Sequence, residues 1–500
     1  MTHLLVTGRV RTQDPDRPVA EAVAVAGSRI VAVGDRASVR GQVPPGTPEL
    51  HLPYVVPGFV DSHVHVLWAG RQATRLALPT ASDVPARVAR FAAEHPGADW
   101  IQAEANFDGP LPSAAALEAA APGTGVVIDV KGHDAVVNET ALRRAGIGDD
   151  TPDPPGGRIE RGPGGRATGL LVEHPAVALV RAVMPAASVS AQRDWIRAGQ
   201  AELLRHGITT AVDPAVDESG LRAYEIMAAD RTLRPRVVAM PDGVDSPALA
   251  ETGRLRLGPT KIFLDGGGSL GTALLSRPWP GTDGYYGNLT TTRSDLAATM
   301  ASAPRGVGVH AVGDAAIDLV LDVVAEVRPA APCHLIHAYL GPSPAAMERA
   351  RALGVAVSAH PALQWGFGAG LIERLGRARA AAANPLRSWL DAGVLVGGGS
   401  DAPGPPMSVL RGMWQARTRM ARGVDLPLGP AEAISAAEAF DMFTVGAAAV
   451  AGFGSTGRLR AGDPADIAGL TVDPLTVDPS EMYDGRVLAT IVGGVVEYAQ

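Results

Sequence analysis

The chain has almost no lysine and almost no cysteine. Of its 44 basic residues only Lys131 and Lys261 are lysines, and Cys333 is the sole cysteine among 500 residues. A single thiol excludes a disulfide framework and a cysteine-rich zinc fold. Basic charge is also short: 44 Lys and Arg against 52 Asp and Glu give a net charge of −8. That balance argues against a nucleic-acid partner, which needs a basic face. No run of about 18 apolar residues occurs, so no membrane span is expected. The opening residues, Met1 to Gly8, lack the charged and apolar stretches of a signal peptide, and a cytoplasmic protein is the expectation.

Apolar residues, by contrast, are plentiful. Hydrophobic residues make up 46% and charged residues 19%, which supplies a sizeable core and excludes global disorder. The length suits one large barrel with a smaller unit beside it. Both ends read as short strands split by glycine and proline: Leu4–Val10, Ala22–Gly27 and Arg29–Gly34 at one end, Ala465–Leu470 and Val487–Tyr498 at the other. Neither end alone could bury a core, so together they are expected to build one small sheet domain. The middle alternates apolar runs with Ala/Leu/Arg-rich helical stretches, the pattern of βα units and a parallel sheet. Eight runs read as its strands: 55–66, 207–213, 236–241, 261–265, 306–311, 333–338, 354–359 and 394–401. Eight is the number a (β/α)8 barrel needs. Between the first two strands lies a long insertion, about residues 68–190, with glycine- and proline-rich stretches that read as loops.

Strand ends carry the chemistry-bearing residues. His63 and His65 stand two apart, so on a strand both imidazoles face one way and make half a metal site. His310, His337 and Asp401 each lie toward the end of another expected strand, where barrels gather functional groups. His334 stands three residues from His337, so on a strand it faces away and reads as a packed histidine. Lys261 begins the fourth strand in a chain that otherwise uses arginine. A buried lysine can lose its proton, and its amine can take up CO2 as a carbamate, which arginine does not do.

These stretches resemble the amidohydrolase superfamily, and within it the YtcJ-like metal-dependent hydrolases, which include N-substituted formamide deformylase. The resemblance rests on Pro57 through His65, Gly132-His133 with Val137-Asn138, Thr168 through Glu173, Lys261 through Gly266, His310 through Ala315, and Gly399 through Pro403. It implies an α/β fold: a (β/α)8 TIM-like barrel over 57–453, with a β-sandwich formed by 1–56 and 454–500. It also implies roles. His63, His65 and Asp401 hold the more buried metal, and Lys261, carboxylated on its Nζ, bridges to a second ion held by His310 and His337. The expected cofactor is a divalent metal, zinc by its imidazole-rich ligands, with one or two ions per chain. The expected reaction is hydrolysis of an amide, N-acyl or N-formyl bond of a small molecule, with Asp401 as the general acid and base. A deaminase or cyclic-amide hydrolase of the same superfamily, and a catalytically silent barrel serving as a binding module, are the alternatives. The family usually reads Asp-Gly-Ser-Leu-Gly soon after the lysine. Here Asp265-Gly266-Gly267-Gly268-Ser269 carries two extra glycines, so substrate contacts in that loop are expected to differ.

His133, Trp68 and Trp365 are candidates for substrate binding, each weighed against a purely structural role, and Phe107 and Phe367 could join an apolar wall. Asp108 and Glu173 read as solvated loop carboxylates. The triple glycines at 266–268 and 397–399 lack the residues of a phosphate loop and read as close-approach turns. No nucleic acid or membrane is expected as a partner, and a homodimer is left open.

Overall fold

A computed structural model describes residues 3–78, 80, 82–105, 109–130, 132–243 and 249–500. Valine- and alanine-rich runs in the middle of the chain form two parallel sheets. The first is ordered Leu255–Leu257, Arg236–Pro241, Ile208–Val216, Phe59–Asp61. The second is ordered Thr260–Phe263, Val307–Gly313, Cys333–Leu340, Ala356–Ala359, Val396–Gly398. A parallel bridge between Asp242 and Lys261 joins them on one side. On the other, Ser62 N donates to Gly398 O at 3.0 Å. The result is a TIM-barrel-like α/β arrangement. Val307–Gly313 and Cys333–Leu340 are buried at every residue, as parallel strands covered on both faces must be. Helix Asp314–Val327 supplies part of that cover, burying Ala316, Ile317, Val320, Leu321, Val323 and Val324 on its inner side.

Both chain ends do share a sheet. Its seven strands run in the order Val495–Ala499, Val487–Val492, Ile467–Leu470, Glu49–Pro57, His3–Arg11, Val19–Ala26, Arg29–Gly34. The run read as one strand over 55–66 is divided. Glu49–Pro57 belongs to the terminal sheet, and Gly58 starts the turn into Phe59–Asp61, its N donating to Asp466 O at 2.9 Å.

The long insertion holds more than loops. Six strands, ordered Arg158–Arg161, Ala167–Val172, Asp134–Val137, Gly125–Val130, Trp100–Ala105, Leu76–Leu78, form a sheet with its own apolar clusters. The glycine-rich stretch at 162–165 is the turn of its terminal hairpin. Among the described residues no helix is long and apolar enough to cross a membrane.

Candidate metal centre

The side chains singled out at the strand ends come together. His63, His65, Lys261, His310, His337 and Asp401 all line one cavity of about 110 Å3. His63 and His65 lie just past strand Phe59–Asp61 rather than on it, and His65 caps helix Val66–Ala73. Backbone hydrogen bonds to neighbouring segments nevertheless fix their position. Val64 N donates to Val212 O at 2.9 Å and His65 N to Ala402 O at 2.9 Å. Asp61, buried beneath, accepts His63 N at 3.1 Å and Ser400 N at 3.0 Å on one oxygen. Asp401 N in turn donates to His63 O at 2.8 Å, and Asp401 takes a left-handed φ of 55°. The turn thereby aims the carboxylate at the two imidazoles. Asp401 Oδ1 lies 3.5 Å from His63 Nε2 and 3.6 Å from His65 Nε2.

Donor atoms of His63, His65 and Asp401 all lie within 4.8 Å of one another. Both ring nitrogens of His63 and Nδ1 of His65 are buried without a hydrogen-bond partner. Orphaned buried nitrogens are costly, and a cation held beside the carboxylate would satisfy His63 Nε2, the nitrogen that faces Asp401. Burial holds His63 well below the ordinary histidine pKa, and Lys261 and the surrounding imidazoles push the same way. The ring is therefore neutral, the form that ligates metal. Burial alone would raise Asp401. The hydrogen bond to His65 and the charges of His360, His65 and Lys261 outweigh it and hold the carboxyl below its ordinary value.

The second half of the cluster is a line of imidazoles. His310 Nδ1 and His337 Nε2 share a hydrogen bond of 3.0 Å, and His337 Nδ1 and His360 Nδ1 one of 2.9 Å. His337 and Ala338 both have positive φ, 75° and 48°, so the strand kinks where its histidine enters the site. Lys261 is 3% exposed. Burial lowers its amine to about 7, against the pull of Asp401 and Asp242. Its Nζ sits 4.6 Å over the ring of Phe263. His360 is a member that the sequence reading missed. It follows strand Ala356–Ala359 directly, the same signal that picks out the others.

Trp68 lines the cavity and stacks on His65, with ring centroids 3.9 Å apart and planes 4° apart. His133 and Phe367 line it as well. Trp365 does not. On helix Pro361–Leu375 the cavity takes Leu363, Phe367 and Leu371, four residues apart, and Trp365 falls off that stripe, facing Arg422 and Tyr483. Glu173, expected in solvent, is fully buried and paired with His133. His334 stays outside the cavity, packed against Gly308. Lys131, Phe107 and Asp108 fall outside the described residues.

The amidohydrolase family profile matches residues 53–498. The chain belongs to that family and is a hydrolase acting on carbon–nitrogen bonds. N-substituted formamide deformylase of Arthrobacter pascens is 30% identical to it over 538 residues, covering 99% of this chain and 98% of the relative. The putative amidohydrolase YtcJ of Bacillus subtilis is 29% identical, covering 91% of each chain. Among solved structures, an uncharacterized metal-dependent hydrolase from Pyrococcus horikoshii superposes with a TM-score of 0.78 at 23% identity, covering 96% of this chain and 99% of that one.

Proposed function

We propose that the protein hydrolyses the amide bond of an N-acyl or N-formyl amine at a divalent metal centre. The observation that carries this reading is the convergence of six side chains, four of them histidines, on one cavity. His63, His65 and Asp401 would hold one ion, and His310, His337 and Lys261 a second. The imidazole-rich set suits zinc. Lys261 joins as its carbamate: burial brings its amine to about 7, so a neutral fraction exists near neutral pH. That nitrogen adds CO2, forming an N–C bond and releasing a proton. When bound, the metal polarises the substrate carbonyl and lowers the pKa of water from 15.7 to about 7.

The remaining work falls to the protein. Asp401 faces His63 and His65 through Oδ1, which leaves Oδ2 to take a proton from water and pass it to the departing nitrogen. Trp68, Val312, Leu363, Phe367 and Leu371 form an apolar wall, which fits an apolar substituent on the amide. The formamide chemistry named for the Arthrobacter relative agrees with this cavity. Terminal segments 1–56 and 454–500 are proposed as a β-sandwich flanking a closed eight-stranded barrel. The test is amine release from a panel of N-substituted formamides and N-acyl amines by zinc- or manganese-loaded protein. Hydrolysis that stops on chelation and returns with metal is expected, and no release from any member of the panel would overturn the reading.

A further inference from the structure

The insertion reaches the cavity through only Trp68, Glu104, Gly132 and His133 among the described residues. Of these, His133 has elaborate support. Its Nδ1 lies 2.9 Å from Glu173 Oε2. Glu173 is fully buried, and its other oxygen accepts the hydroxyl of Thr272, on the loop that follows the Lys261 strand. Glu173 N donates to Asp134 Oδ1 at 2.8 Å. Three partners thus hold a glutamate at φ 67°, a left-handed conformation that a non-glycine residue keeps only when its surroundings over-determine it.

The glycine-rich loop makes room for this arrangement. A Cβ at Gly266 would fall 2.4 Å from Glu173 Oε1, and one at Gly267 3.7 Å from His133 Cδ2. A side chain at 266 would therefore push the carboxylate away. On the far side the His133 ring sits 5.1 Å from that of His310. A carboxylate accepts, so His133 donates through Nδ1 and the pair fixes the ring's orientation. Nε2, which among the described residues has no hydrogen-bond partner, is left for a ligand in the cavity.

The geometry points to a substrate contact supplied by the insertion: His133, aimed by Glu173, hydrogen-bonds the amide group of the substrate through Nε2. Glu173 is a positioning residue and touches no substrate. This inference rests on the amide-hydrolase reading above. A latch that merely fastened the insertion to the barrel would not need its imidazole to line the cavity.

The test compares His133→Leu, His133→Gln, Glu173→Gln and the His133→Leu/Glu173→Gln double variant with the wild type, each metal-loaded. Metal content and melting temperature are measured beside kcat and KM on N-hexylformamide. His133→Leu is expected to lose about 10- to 100-fold in kcat/KM with metal content unchanged. His133→Gln, which keeps a hydrogen-bonding group, should lose less, and the double variant should be no worse than His133→Leu alone. Calorimetric binding of N-hexylformamide to chelator-stripped protein supplies a second readout, with at least tenfold weaker binding expected for His133→Leu. Turnover within twofold of wild type, or equal binding by the two stripped proteins, overturns the inference. If wild type hydrolyses no amide, the hydrolase reading fails first, and the binding comparison still decides whether His133 contacts the amide.

Discussion

Asp401 is partly buried among three imidazoles and a lysine, yet its carboxyl stays below its ordinary pKa because His65, His360 and Lys261 outweigh the cost of burial. It is thus ionised and ready to accept a proton. Asp401→Asn keeps an oxygen near His63 and His65 but cannot carry a proton. Turnover should fall by about 10²- to 10⁴-fold while part of the metal stays bound, as kcat and metal content measured on one preparation will show. Lys261→Arg should cost one ion per chain, because a guanidinium forms no carbamate. Metal analysis of that variant checks it, and two retained ions would refute the bridge. These residues were legible because the strand-end rule names positions, and the scarcity of lysine marks Lys261. His360 obeys the same rule but falls one residue past the expected strand, 354–359, and so was passed over. Glu173 was illegible for another reason. Its burial depends on a loop about 100 residues later in the chain, through Thr272, and nothing local announces that.

At the scale of elements, the placement of His65, a proposed metal ligand, depends on a helix crossing. Helix Val66–Ala73 begins at His65 and packs on helix Val189–Arg205. The two approach through glycines: a Cβ at Gly70 would fall 1.8 Å from Trp195 O, and one at Gly199 2.2 Å from Val66 O. Neither backbone oxygen can yield by rotating a side chain. Gly70→Ala should therefore cost about 1–3 kcal/mol and weaken metal binding by shifting His65. Denaturant midpoints and a metal titration measure the two effects. Parallel strands were legible from their buried valine and alanine runs. The sheet within the insertion was not, since its strands stand among proline- and glycine-rich stretches that read as loops. Trp365 was misplaced because composition says that an aromatic is present, while helix phase decides which way it faces.

Within the insertion, charge fastens the sheet to the segments packed beside it. Asp129, on strand Gly125–Val130, meets Arg75 at 2.8 Å, Arg181 at 2.9 Å and Arg71, on helix Val66–Ala73, at 3.5 Å. Burial alone would raise its carboxyl, but the three guanidiniums pull it below the ordinary 3.8. A folded-state pKa below the unfolded one stabilises the fold above about pH 4, and that contribution is lost as pH falls further. Asp129→Asn should cost about 3–5 kcal/mol at pH 6, because three arginines lose their carboxylate. The gap from wild type should narrow below pH 4, as chemical denaturation at several pH values will show. The alternation of strands and helices made the parallel α/β arrangement legible at this scale, and the strand-like runs at both ends pointed to their shared sheet. The charged seam was not legible, since no spacing links Arg71, Arg75 and Arg181 to Asp129.

The most direct measurement is metal stoichiometry. Purified protein supplied with zinc or manganese and then dialysed should keep one to two ions per chain, and a His63→Ala/His65→Ala variant that still folds should keep fewer. A folded wild type that retains no metal would contradict the account.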